Sequence, residues 1–171
     1  MSLAVVGATS LFAAVAFDAL ALALQASRQG GDAGRAATRV ALEGRDAVLV
    51  GGGDPFLERR PDADAEPDRA DLATLARRTA RALRERGLRS IRLGYDDGLF
   101  SGPAWNPTWP DTYRDDVVAP ITALMVDDGR PADGPGRSLD PSYAAADSFA
   151  ALLRQRGIRI VGVPREAAAP E

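Results

Sequence analysis

DLATLARRTARALRERGLRSIRLGY, residues 71–95, contains the clearest helix of the chain followed by a strand. Apolar residues recur on one helical face and arginines occupy the others, which predicts an amphipathic helix packed on a core. Asp71 is a typical N-cap, and Gly87 is typical of the left-handed position that ends a helix. SIRLGY then predicts a strand near residues 89–95. The stretch is therefore one helix–strand unit.

The same plan returns near the end of the chain. Asp140 predicts the N-cap of a second helix, Gly157 predicts its end, and IRIVGV predicts a further strand. Upstream, a hairpin is predicted with strands near 38–42 and 46–50, and one more strand is predicted near 121–126. Together these elements predict an α/β fold, in which an apolar N-terminal helix precedes a small mixed sheet with helices packed on it.

The composition of the 171 residues is that of one globular core, with 46% hydrophobic and 26% charged residues. The net charge of -3 gives no indication of a nucleic-acid partner. All 21 basic residues are arginine, and the chain has no lysine, histidine or cysteine. These absences exclude Ser-His-Asp triads, thiol nucleophiles, cysteine-based zinc sites and Ser-x-x-Lys nucleophile pairs.

The first 25 residues, MSLAVVGATSLFAAVAFDALALALQ, are strongly apolar. A secretory signal begins with basic residues, but the first basic residue here is Arg28. A membrane span would bury Asp18, at a cost of about 3 kcal/mol or more. We therefore predict that residues 3–26 form a buried helix of a soluble fold, with a poor signal or an anchor as the alternative. If its apolar surface is left exposed, we expect the chain to self-associate through this helix.

In the stretch VLVGGGDPF, residues 48–56, three glycines follow an apolar run, as in many phosphate-binding loops. A P-loop needs a lysine, which the chain lacks. A dinucleotide fingerprint needs a third glycine where Phe56 stands, and Asp54 would set a carboxylate against the phosphate. We predict no nucleotide or other cofactor here, and interpret the glycines as a strand that enters a tight turn.

Three adjacent acidic pairs are candidate metal or acid–base groups: Asp96-Asp97, Asp115-Asp116 and Asp127-Asp128. The first and third pairs precede a glycine, which is typical of turns. We therefore predict no metal site. A magnesium-dependent enzyme that uses Asp96 or Asp127 is the weakest of the functional alternatives.

An aromatic and proline-rich stretch, LFSGPAWNPTWPDTY, predicts a long irregular loop over residues 99–113. Trp105, Trp109 and Tyr113 either pin this loop onto the core or form a contact surface for a sugar or peptide ligand. Pinning is the favoured interpretation, and ligand contact is the alternative.

Several phrases follow one another in an order that resembles one enzyme family. They are VLVGGGDPFL, LATLARRTARALRERGLRSIRLGYDDGLFSGP, ITALMVDDGR and DPSYAAADSFAALLRQRGIRIVG. The series resembles the DacB-type serine D-alanyl-D-alanine carboxypeptidase/endopeptidases, the class C low-molecular-weight penicillin-binding proteins, in an actinobacterial style. The resemblance covers about Thr38 to Val163, mainly the insertion in that family's catalytic domain. It implies serine-type hydrolysis of D-Ala-D-Ala in peptidoglycan stem peptides, and a place in the cell envelope.

The departures from this family predict a chain without catalytic residues. The family's Ser-x-x-Lys positions fall here at Gly7 and Ser10, and no Ser-x-Asn or Lys-Thr-Gly is present. We expect a truncated or degenerate relative. Residues 1–37 would be a remnant of the catalytic-domain helix with a Gly-rich connection, 38–165 the α/β insertion-type domain, and 166–171 a tail. The alternative is a stand-alone module that binds the cell wall or a protein partner.

Overall fold

The computed structural model describes residues 22–23, 36–66 and 69–170, and within them a mixed α/β fold. The strands are β1 Leu22–Ala23, β2 Arg39–Glu43, β3 Asp46–Val50, β4 Ser90–Asp96, β5 Arg159–Ile160 and β6 Arg165–Glu166. The helices are α1 Leu72–Glu85, α2 Tyr113–Asp116 and α3 Pro141–Gln155, and a 3-10 turn spans Asp127–Gly129. The α/β class with a small mixed sheet and packed helices is confirmed.

Strand β4 is the centre of the sheet, whose order is β1-β2-β3-β4-β5. Strands β2 and β3 form the predicted antiparallel hairpin, and Gly44 takes a φ of 57° in its two-residue turn. Strand β4 runs parallel to β3 on one side and to β5 and β6 on the other. The β3–β4 connection includes α1 and the β4–β5 connection includes α3, as parallel pairing requires.

Helix α1 has the ends that its sequence predicts. The Asp71 carboxylate accepts a hydrogen bond of 2.7 Å from the amide of Thr74. At the other end, Gly87 takes a φ of 71° and the amide of Leu88 donates to the carbonyl of Leu83 over 2.8 Å. This is a Schellman motif, which satisfies the last carbonyls of the helix. The chain then enters β4 directly.

Helix α3 has the same kind of N-cap and the same kind of glycine stop as α1. Asp140 accepts from the amide of Tyr143 over 2.9 Å, and Gly157 takes a φ of 79°. The amide of Ile158 donates to the carbonyl of Leu153 over 3.1 Å. The two crossovers step in the same direction across the sheet, from β3 to β4 and from β4 to β5, and both helices pack into one core on the same face.

The main core lies between the two helices and one face of the sheet. Its largest side chains with under 2% exposure include Phe149, Leu49, Leu75, Leu83 and Ile91. Each such side chain contributes about 1.5–3 kcal/mol through removal of apolar surface from water. The opposite face carries a smaller cluster, Ala41, Val48 and Val50, against which Ala167 and Ala169 pack.

Three predicted elements differ from the structure. Leu22–Ala23 pairs with β2 as a strand, so the helix predicted over residues 3–26 is wrong there, and its remaining residues lie outside those described. Residues 121–126 form no strand, because this segment crosses the end of the sheet instead of joining it. The last predicted strand is interrupted after Ile160, where Gly162 takes a φ of 76°, and pairing resumes at Arg165.

None of the helices in the described ranges is long and apolar enough to cross a membrane.

Candidate functional site

A cavity of about 420 Å³ opens beside the carboxyl ends of β3 and β4, and we call it the Trp109 cavity. Trp109, Phe100 and the segment 117–121 supply most of its apolar wall. Four polar side chains also line it: Asp54, Thr122, Asp128 and Arg137. The volume lies toward the low end of the range, about 300–1,000 Å³, that is typical of small-molecule sites.

Gly53, the last residue of the glycine triplet, forms one side of this cavity together with Asp54 and Pro55. The amide of Gly51 donates to the carbonyl of Asp96, and the amide of Gly53 donates to the carbonyl of Ala123, both over 2.8 Å. A Cβ at Gly51 would lie 2.5 Å from the Ala123 oxygen, and a Cβ at Gly53 would lie 2.6 Å from the Phe100 ring. The interpretation of the glycines as a turn with close backbone approach is confirmed.

The loop between β4 and the 127–129 turn folds back on itself to form the outer wall. The amide of Ile121 donates to the carbonyl of Ala104 over 2.7 Å, which closes the loop. Within it, the amides of Val117 and Val118 both donate to the carbonyl of Tyr113. The Val117 bond closes α2, and the other two bonds satisfy backbone groups that lie outside regular elements.

The 127–129 turn has an unusual backbone. Asp127, Asp128 and Gly129 take φ values of 50°, 54° and 76°, and the left-handed region costs a non-glycine residue about 1 kcal/mol or more. An ion pair of 2.7 Å between Arg59 and Asp127 holds the turn in place. The amide of Asp127 also donates to the carbonyl of Leu57 over 2.9 Å. The turn is therefore fixed by the segment that follows the glycine triplet.

Arg137 joins the two loop segments of the wall. Its Nε donates to the carbonyl of Val117 over 3.2 Å, and its Nη1 donates to the carbonyl of Asp128 over 2.9 Å. Of the ion pairs among the described residues, none includes Arg137 or Asp54. The carboxylate of Asp128, by contrast, pairs with Arg130 over 2.8 Å.

A polar network beneath the cavity links the wall to the core. The Ser142 hydroxyl, in the first turn of α3, donates to Oδ2 of Asp97 over 2.6 Å. Thr122 donates to the same oxygen over 3.0 Å, and the two hydroxyl oxygens lie 2.5 Å apart. Although a serine beside a carboxylate is a candidate nucleophile, Ser142 is only 2% exposed. The network therefore serves to fix β4, residues 122–124 and α3 relative to one another.

Tyr95, near the end of β4, lies among acidic side chains. Partial burial of its ring raises the pKa of the Tyr95 phenol, and the negative charges of Asp140, Asp97 and Glu166 raise it further. The neutral form of the phenol is therefore favoured in the folded protein.

The sequence matches the profile of the D-Ala-D-Ala carboxypeptidase 3 (S13) family over residues 11–133, more than two thirds of the chain. The chain belongs to this family. Among curated proteins, no sequence matches it. The matched range contains the hairpin, α1, β4 and most of the cavity wall of this S13 member. Arg137 and α3 lie beyond it.

In the S13 chain, the three aromatic residues of the predicted contact loop do not act as one group. Trp109 lines the cavity, whereas Trp105 is not among its lining residues and faces the Arg114 guanidinium, 5.3 Å from the ring centroid. Tyr113 begins α2 and is 39% exposed. A role in ligand contact stays a prediction, and the geometry favours Trp109 for it.

Two of the acidic pairs of the S13 chain, Asp96-Asp97 and Asp127-Asp128, engage internal partners. Asp96 accepts from the amides of Gly98 and Ala169 over 3.0 and 2.8 Å, Asp97 accepts two hydroxyls, and Asp127 pairs with Arg59. Within the ranges that the structure describes, no three His, Cys, Asp or Glu side chains are placed to hold a metal ion. These contacts favour the structural interpretation of Asp96 and Asp127 as turn residues.

Sequence reasoning missed Phe100, Arg137 and the 117–121 segment. Phe100 follows Leu99 in an irregular loop, where no periodicity marks it as part of a wall. Arg137 lies in GRPADGPGRS, a stretch that predicts only a loop. A large apolar residue inside a glycine- and proline-rich loop was the one available signal.

Proposed function

We propose that these 171 residues form a non-catalytic part of the D-Ala-D-Ala carboxypeptidase system, as a degenerate relative of the DacB-type enzymes. The observation that carries the proposal is the absence of any lysine from the sequence. Serine acyl transfer needs a base beside the nucleophile and donors that hold the oxyanion. The histidine and the lysine that usually supply the base are both missing.

The serines of the described ranges support this proposal, because most of them stabilise the fold. Ser90 accepts from Arg159, Ser138 from the amide of Asp140, and Ser148 from Arg59. Buried Ser142 belongs to the Asp97 network. Ser101 is exposed and borders a cavity of about 200 Å³ that Asp97 also lines. It is the serine best placed to react, and it is therefore the residue to test.

A second candidate function is a binding module of the cell envelope. The Trp109 cavity favours it, since an open apolar cavity with an aromatic wall and few polar groups is typical of a ligand site. Location in the envelope follows from the family's substrate, peptidoglycan, and belongs to the same proposal.

A test of the catalytic proposal is release of D-alanine from a peptide that ends in D-Ala-D-Ala. We expect the purified chain to release no more D-alanine than buffer, while an active serine carboxypeptidase serves as the positive control. A Ser101→Ala variant should behave identically to the parent chain. Release by the parent that is lost in Ser101→Ala would contradict the proposal.

A further inference from the structure

We propose that the Trp109 cavity binds a short peptide of two or three apolar residues with free amino and carboxyl ends. The inference rests on the cavity and its charges, and it holds whether or not the chain is catalytic. It makes Asp54 the contact for the ammonium group of the ligand and Arg137 the contact for its carboxylate.

Two opposite charges at the cavity lack a charged partner among the described residues. In the described part of the chain, the Arg137 guanidinium donates to two backbone carbonyls and pairs with no carboxylate. The Asp54 carboxylate accepts from the amide of Phe56 over 2.9 Å and likewise takes part in no ion pair within those ranges. A ligand with one charge of each sign complements both.

The third charge of the cavity is already neutralised. Asp128 pairs with Arg130 over 2.8 Å, and its carbonyl is taken by Arg137. The remaining balance is one positive and one negative group, so a ligand without net charge fits best. A simple fatty acid would complement Arg137 but would leave Asp54 without a partner.

The walls between these charges indicate the apolar side chains. Phe100, Val117 and Ile121 are 48%, 47% and 45% exposed although they border the cavity. Covering such surface contributes about 25 cal/mol for each Å² removed from water. A volume of about 420 Å³ is suited to a ligand larger than one free amino acid.

The charged end of the site is pre-organised. Because two carbonyls from different loop segments hold Arg137, its guanidinium needs little reordering when a carboxylate binds. Asp54 has one local restraint, the hydrogen bond that it accepts from the amide of Phe56 two residues further along the chain. Rigid contacts of this kind favour discrimination of charged from blocked ligand ends.

The test is calorimetric titration of the chain with the dipeptide Val-Phe, its N-acetyl form, its C-terminal amide and decanoate. We expect Val-Phe to bind, and each blocked form to bind about ten-fold more weakly, as expected for loss of one charge-assisted hydrogen bond. Absence of Val-Phe binding at millimolar concentration would overturn the proposal, as would equal binding of the blocked forms. Tighter binding of decanoate than of Val-Phe would also overturn it.

Variants assign the two ends of the ligand. Asp54→Asn keeps an oxygen that can accept from Phe56, so the fold is retained, and it should remove the preference for the free amino group while the preference for the free carboxylate remains. Arg137→Gln should remove the preference for the free carboxylate, while the preference for the free amino group remains. Asp147→Asn and Arg77→Gln change exposed residues of α3 and α1 outside the cavity, and should bind as the parent does.

Filling the cavity provides an independent check. Val118→Trp places a large side chain in the wall and should abolish Val-Phe binding. Unchanged binding by Val118→Trp or by Asp54→Asn would overturn the proposed site even if Arg137→Gln failed to fold. D-alanine release and dipeptide binding are separate readouts, so failure of one proposal is distinguishable from failure of the other.

Discussion

The αβ core, formed by β3, α1, β4 and α3, and the cavity wall, residues 97–138, reach a fixed structure by different means. In the core, periodic apolar residues bury themselves and each helix carries its own caps. In the wall, backbone hydrogen bonds, close glycine contacts and arginine side chains hold an irregular chain. The core therefore depends on hydrophobic burial, and the wall depends on a few specific polar contacts.

This difference predicts how each region responds to change. Removing a buried core side chain should lower the stability of the whole domain, since a small domain unfolds cooperatively. Removing a wall contact should first open the wall locally and weaken ligand binding in the cavity. The reason is that regions with few buried contacts open at a lower free energy than the whole domain.

Phe149→Ala should have the largest effect on stability. The side chain is fully buried between α3 and the rest of the core, and such a truncation costs about 3–5 kcal/mol in free energy of unfolding. Urea denaturation followed by circular dichroism measures it. Phe56→Ala is the matched control, because Phe56 is 58% exposed, and it should cost about 1 kcal/mol or less. Equal losses in the two variants would contradict the proposed core.

Gly51→Ala should have an intermediate effect and tests the junction of the two regions. The added Cβ would lie 2.5 Å from the Ala123 carbonyl, and the backbone must shift, at a cost of about 1–3 kcal/mol. Gly98→Ala is the control, because Gly98 has no positive φ and its Cβ would meet only a carboxylate oxygen of the Asp96 side chain, at 3.2 Å. The comparison of urea midpoints should rank Gly51→Ala as the more damaging change. Gly51→Ala should also weaken ligand binding in the Trp109 cavity. If the control variant were the less stable of the two, the close passage of residues 121–126 beside Gly51 would be contradicted.

Tyr95→Phe should have the smallest effect, visible only in alkali. Its folded pKa is raised above the unfolded value, so the phenol contributes stability below about pH 10 that is lost as pH rises further. The free energy of unfolding should fall less between pH 8 and pH 11 in Tyr95→Phe than in the parent chain. The free energy of unfolding of Tyr113→Phe should change with pH as it does in the parent chain, since this variant retains Tyr95. Parallel curves for the parent and Tyr95→Phe would contradict the environment assigned to Tyr95.

The sequence predicted the core well because its signals are local. The caps of α1 and α3, their glycine stops and the β2–β3 hairpin all depend on neighbours within a few residues. Residues 121–126 have the apolar character of a strand, but their hydrogen-bond partners are Gly53 and Ala104, which lie far away in sequence. No local pattern encodes such crossings, so the cavity wall and Arg137 were not predicted.

The absence of a catalytic centre from these 171 residues is the central claim, and intact-mass spectrometry after incubation with excess penicillin tests it most directly. Penicillin acylates an activated serine and leaves a stable mass increase on the protein. We predict an unshifted mass for the chain, beside a shifted mass for an active serine carboxypeptidase treated in parallel. A penicillin adduct on the chain, mapped by peptide digestion to Ser101 or any other serine, would contradict the account.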